Sequence, residues 1–255
     1  MIDALRRWQR RRELRRHAVP DAVWRQAVGE DVLFRGLSRE ESDRLRELAT
    51  LFLARKTFFG AADAEVGEIQ AVRIAALAAI PILGLGIDWY RGWHSVIVYP
   101  SGFLARHHAV DETGVVHEQA TELIGEAMEG GAVVLSWEDV EAGHERDGWN
   151  VVIHELSHKL DMLNGEANGM PPLHADMHRQ AWTAAFTAAY DALGAALERG
   201  GHTPIDPYAA TDPAECFAVM SETFFETPEI LNRAFPEVYR QLTAFYRQDP
   251  AARGA

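Results

Sequence analysis

Residues 150–165 read NVVIHELSHKLDMLNG, and both the fold and the chemistry of the chain turn on this stretch. His154 and His158 lie four apart. On a helix that spacing stacks the two imidazoles on one face, one turn apart, where they can share a metal ion. Glu155 stands beside them, placed to polarise a water rather than to bind the metal. Val151, Val152, Ile153, Leu156 and Leu160 make the other faces apolar, so the helix expected over about 149–163 is largely buried. Buried imidazoles and a carboxylate need partners, because an unpaired polar group there costs up to several kcal/mol. A metal ion would supply those partners, and so would ordinary hydrogen bonds. Gly165, just past the last apolar residue, ends the helix without a β-carbon penalty.

A catalytic zinc site takes three protein ligands and keeps one position open. One metallopeptidase class places a glycine three residues and a histidine six residues after the second histidine. Asp161 and Asn164 hold those positions here, which excludes that class. Another class draws a glutamate from a later helix. Glu166 follows too closely to swing back, and Glu198 ends a long helix beside Arg199. The better candidates lie in PYAATDPAECFAVMSETFFETP, residues 207–228. Asp212 reads as an N-cap and Pro213 as the first helical residue, with Phe217, Met220 and Phe224 buried. Glu215 falls in the first turn, and Glu222 sits two turns on along the same face. A capping box with Asp212 would also put a carboxylate at position 215, and spacing alone leaves that tie open. His174 and His178 repeat the four-residue spacing. They lack an adjacent acid and precede an ordinary amphipathic run, so they read as surface or supporting residues.

The remainder of the chain frames this site. At 255 residues it is long enough for a substantial core, and it reads as a single domain over 1–255. A net charge of −13 argues against direct nucleic-acid binding, which needs clustered cations. The 14-residue apolar run from Ile74 to Ile87 is interrupted by Pro81 and falls short of the roughly 20 residues that span a bilayer. Cys216 is the one cysteine, which rules out an intramolecular disulfide and fits a reducing compartment. The basic N-terminus lacks the apolar core of a secretory signal, so a cytoplasmic location is expected. Seven arginines against Asp3 and Glu13 in residues 1–17 suggest either an arm for an acidic partner or membrane surface, or a solvated terminal helix.

Ser38 and Glu41 form a capping box ahead of the Leu45, Leu48 and Phe52 stripe, and a second helix is expected from Glu65 to Ile80. N-terminal helices thus extend to about residue 80. The runs WHSVIVYP, GFLARHHAV, GVVHEQATEL and GAVVLSW read as strands. Helices, then strands, then helices imply an α+β fold with a small, mostly antiparallel sheet over about 93–137. AVVLSW is expected at the sheet edge along the cleft, where an extended peptide could add as a strand.

Several long stretches in order carry a more specific signal: ARKTFFGA, LGLGIDWYRGWHSVIVYP, VVLSWEDV, the histidine helix, and DPYAATDPAECFAVMSETFFETPEIL. From about Pro20 to Phe245 the chain resembles the Mlc titration factor A family. These are glucose-regulated zinc metallopeptidases, whose catalytic region is similar to that of anthrax lethal factor. The resemblance implies a zincin-like fold with Zn²⁺ held by His154, His158 and Glu215. It also implies Glu155 as general base and Tyr208 as hydrogen-bond donor to the oxyanion. Zinc would lower the pKa of a water and polarise the scissile carbonyl of a peptide or protein substrate. The family's AEFFA-type helix departs here at Cys216, which points about 100° from Glu215 and packs in the core. Asp161 either orients a ligand histidine or satisfies the helix end, and Glu222 is a further supporting candidate. The family name implies an alternative function, sequestration of a transcriptional repressor, with peptidase activity secondary or latent.

Overall fold

The computed structural model describes residues 2–29, 31–62, 64–110, 116–123, 125–127, 131–143 and 147–253. The chain opens with three helices, α1 (Ile2–Arg16), α2 (Asp21–Val28) and α3 (Arg39–Arg55). The expected capping box starts α3: Glu41 N–H donates to Ser38 Oγ at 3.2 Å, and Ser38 N–H donates to the Glu41 carboxylate at 2.8 Å. The basic segment forms α1 and lies along α3. Arg10 pairs with Glu47 at 3.0 Å, and Arg55 with Glu13 at 3.3 Å.

The sheet differs from the expected one. β1 (Thr57–Gly60) follows α3 directly, α4 (Glu68–Ala79) crosses over, and β2 (Ser95–Tyr99) returns parallel to β1. β3 (Phe103–Val110) and β4 (Val116–Leu123) pair with each other as a separate antiparallel ribbon. β5 (Gly125–Ala127) and β6 (Val133–Ser136) complete the main sheet, in the order β1-β2-β6-β5. β6 runs parallel to β2, and only β5 is antiparallel. The mostly antiparallel sheet over 93–137 is therefore corrected in direction and in extent, since pairing begins at Thr57. TFFG is too short to show alternation, and α4 reads from sequence as an independent helix. It is instead the crossover that lets neighbouring strands run parallel. AVVLSW is not the edge either. β6 lies between β2 and β5 with all four residues buried, which is why it reads as one unbroken apolar run.

After α5 (Trp137–Ala142) the chain is helical, through α6 (Val151–Asp161), α7 (Arg179–Glu198), α8 (Pro213–Glu226), α9 (Pro228–Ala234) and α10 (Pro236–Tyr246). One connected group of buried side chains runs from Leu33 to Tyr246. Trp182 stacks on Phe186 at 4.5 Å and packs edge-on against Phe245 at 5.6 Å, locking α7 to α10. Each such ring removes roughly 150–250 Å² from water, an upper bound of about 4–6 kcal/mol apiece. Tyr246 hydroxyl donates to Ser221 Oγ at 2.8 Å and lies 3.3 Å from Ser157 Oγ, so a buried polar seam joins α10, α8 and α6.

Both lysines of the chain are buried against one indole. Lys56 Nζ donates to the carbonyls of Tyr90 and Trp93, each at 2.6 Å, and sits 3.5 Å from the Trp93 ring centre. Lys159 Nζ donates to Gly131 O at 3.0 Å and lies 5.4 Å from the same ring. Among the described residues, no helix is long and apolar enough to cross a membrane.

Candidate metal centre

Asn150 starts the histidine helix. Its Oδ1 accepts from Ile153 N–H at 3.1 Å, the capping geometry that a residue before an apolar run supplies. Its Nδ2 donates to Glu226 Oε1 at 2.9 Å, and its backbone N–H donates to Glu222 Oε2 at 2.6 Å. One residue thus fixes the start of α6 and ties it to two carboxylates of α8.

The facing helix begins at Asp212, whose Oδ1 accepts from the backbone of Ala214 at 2.8 Å and Glu215 at 3.0 Å. The Glu215 carboxylate turns toward α6. Its Oε2 lies 3.0 Å from His154 Nε2 and 3.5 Å from His158 Nε2. The two Nε2 atoms are 3.2 Å apart. His154 Nδ1 meets Glu222 Oε1 at 2.7 Å, so it carries the proton and presents the Nε2 lone pair to the cluster. One ligand atom each from His154, His158 and Glu215 lies within 4.8 Å of the others.

This donor set fits a divalent cation. Two imidazole nitrogens that face each other at 3.2 Å hold at most one proton between them. Glu215 Oε2 is buried with no well-aligned hydrogen bond despite its closeness to both rings. A cation at the common point satisfies all three, and two imidazoles with one carboxylate match the ligand types that zinc takes.

Electrostatics follow from burial and crowding. Burial would raise the Glu215 carboxyl, but the adjoining His154 and His158 hold it at about 2. Burial lowers the His154 pKa, yet the carboxylates of Glu222 and Glu215 outweigh it and raise it well above the usual value, so a cation at the common point would take the place of the Nε2 proton. Glu155 is pushed up to about 7, first by burial, with His154 and His158 opposing and Glu215 and Glu222 reinforcing. Its Oε2 is buried and has no hydrogen-bond partner among the described residues. Tyr208 lies on a short 3-10 turn, 48% exposed, with its ring 6.2 Å from that of His154. Burial and then the Glu215 carboxylate push its hydroxyl up to about 12, so it stays protonated and able to donate.

Asp161 faces the loop after α6. Its Oδ2 accepts from the backbone N–H groups of Asn168 and Gly169, both at 2.7 Å. Gly169, at φ +77°, comes so close to Pro213 O that a β-carbon would lie 2.3 Å from it. The loop that Asp161 holds thus packs against the first turn of α8, where Glu215 stands. His174 and His178 are not part of the cluster. His174 Nε2 contacts Phe245 O at 2.8 Å, and His178 precedes α7 at its N-cap position. Cys216 is buried, and desolvation pushes its thiol up to about 12.

The profile of the glucose-regulated metallo-peptidase M90 family matches residues 5–247 of this chain. The chain belongs to that family. The Mlc titration factor A of Yersinia enterocolitica is 40% identical over 235 residues, covering 91% of this chain and 87% of the relative. That of Klebsiella pneumoniae is 38% identical over 232 residues, covering 90% and 87%. That of Salmonella arizonae is 38% identical over 238 residues, covering 91% and 93%. Within this M90 chain, the reading of sequence alone passed over Asn150 and Gly169. Asn150 carried a legible signal, an N-cap residue directly ahead of an apolar helix, whereas Gly169 carried none beyond its place in a loop.

Proposed function

We propose that the protein is a zinc-dependent peptidase of zincin type, formed by a single domain over 1–255. The observation that carries this reading is the convergence of His154, His158 and Glu215 beside the buried Glu155 carboxylate. Zinc bound there would act as a Lewis acid, lowering the pKa of a water and polarising the scissile carbonyl. Glu155, buried beside the three donors, takes the proton of the attacking water and delivers it to the leaving amine. The protonated Tyr208 hydroxyl donates to the oxygen on which negative charge develops. Glu222 holds the tautomer and orientation of His154, and Asp161 keeps α8 in place through the 168–169 loop. The substrate class is a peptide or an exposed segment of a protein, and the reading carries a cytoplasmic location with it.

Metal analysis beside peptide hydrolysis tests this. The purified protein should hold zinc in equimolar amount, and Glu215→Ala should lose it. Glu155→Gln should keep both zinc and fold while hydrolysis falls by about 10²–10⁴-fold. A zinc-loaded wild-type protein that cleaves nothing in a broad peptide library would sink the reading.

The name shared by the relatives, Mlc titration factor A, favours a second function, the sequestration of a transcriptional repressor. Repressor binding by Glu155→Gln at wild-type affinity would separate that function from hydrolysis.

A further inference from the structure

Gly125 opens β5, the edge strand of the main sheet, and pairs with the buried Leu135 of β6. A β-carbon at this position would lie 2.4 Å from Glu155 Oε1 and 2.8 Å from both its Cδ and its Cγ. Those are the three nearest heavy atoms, and all belong to one side chain. Gly125 is not among the glycines with positive φ, so the backbone itself would accept alanine. The absence of a side chain here serves the close approach of Glu155, not a turn.

The strand is tied to its neighbour along its whole length. Gly125, Glu126 and Ala127 are all paired to β6. Across the connection, Lys159 Nζ, one turn beyond Glu155 on α6, donates to Gly131 O at 3.0 Å. The helix therefore meets this hairpin at two points, and a methyl group added at residue 125 moves the flexible carboxylate instead of the backbone.

We infer that Gly125 is a positioning residue: the bare backbone of β5 sets where the Glu155 carboxylate lies relative to His154, His158 and Glu215. The inference rests on the peptidase reading above and adds to it a residue outside the helices that carry the metal donors and the base.

Gly125→Ala decides it. Zinc content should stay at the wild-type level, because the three donor residues are untouched. With KM near the wild-type value, kcat should fall by about 10²-fold, the loss that a displacement of ~1 Å produces. Tm should drop by a few degrees. In a Glu155→Ala background the same substitution should alter neither the residual rate nor Tm, because the side chain it meets is gone. Wild-type kcat in Gly125→Ala, or an equal Tm loss in both backgrounds, would overturn the inference. Should Gly125→Ala fail to fold, a folded Gly125→Ala/Glu155→Ala double variant supports the contact, and an unfolded one refutes it. If the wild-type chain cleaves no peptide, the peptidase reading fails by itself, while the Tm comparison still decides whether Gly125 and Glu155 are coupled.

Discussion

Replacing Glu222 by glutamine exchanges one oxygen for an amide nitrogen, and it should weaken metal binding at the candidate site. Both groups that meet this carboxylate are donors, His154 Nδ1 at 2.7 Å and the Asn150 N–H at 2.6 Å. An amide has a single oxygen and serves only one of them. If it serves Asn150, its NH₂ faces His154 Nδ1, which must then become an acceptor. The imidazole proton moves to Nε2, and the lone pair turned toward His158 and Glu215 is lost. If the oxygen serves His154, the start of α6 is left with a buried donor facing another donor, costing about 1–3 kcal/mol of stability. Losing a residue that orients a ligand histidine lowers metal affinity by about 10–100-fold, or ~1.4–2.7 kcal/mol. Competition against a chromogenic chelator at fixed pH measures the first effect, and urea unfolding of the metal-free protein measures the second. A glutamine variant that binds zinc as tightly as wild type and unfolds at the same urea concentration would show the account of Glu222 to be wrong.

Burial pushes the Glu226 carboxyl up to about 8 from its ordinary 4.5, against the hydrogen bond from Asn150. The unfolded chain gives up this proton first, so the folded state holds more protons between those values and stability falls as pH rises through that window. Glu226→Gln should flatten the decline, by up to a few kcal/mol at roughly 1.4 kcal/mol per pH unit, as read from Tm against pH. Asn150→Ala removes the α6 cap and one partner of Glu226, and should cost about 2 kcal/mol in urea unfolding. Cys216, buried and raised to about 12, should ignore a thiol reagent in the native protein and react with it on unfolding.

The helices and the donor pair were legible because their signals are local. Ser38 and Glu41, Asp212 and Pro213, and the spacing of His154 and His158 each act within four residues. The third donor was not legible in that way. A carboxylate in a first turn serves a cap or a metal equally well in sequence terms, and only the approach of α8 to α6 turned Glu215 toward the histidines. Strand direction failed for a similar reason: whether TFFG and SVIVY run parallel depends on what α4 does between them. Gly125 and Gly169 matter for what comes near them in space, and a glycine's neighbours in sequence say nothing of that.

The two lysines have a practical consequence. Lys56 comes from the junction of α3 and β1 and Lys159 from the histidine helix, yet both side-chain amines converge on Trp93, and the two residues are 7% and 3% exposed. Lysine amines are ordinarily the most accessible handles on a protein, spread over its surface. Here they form a paired internal reporter. An amine-directed label will reach either one only when the packing around Trp93 opens, so the rate of labelling clocks that opening. Comparison of the two sites tells whether the sheet and the histidine helix come apart together or in turn.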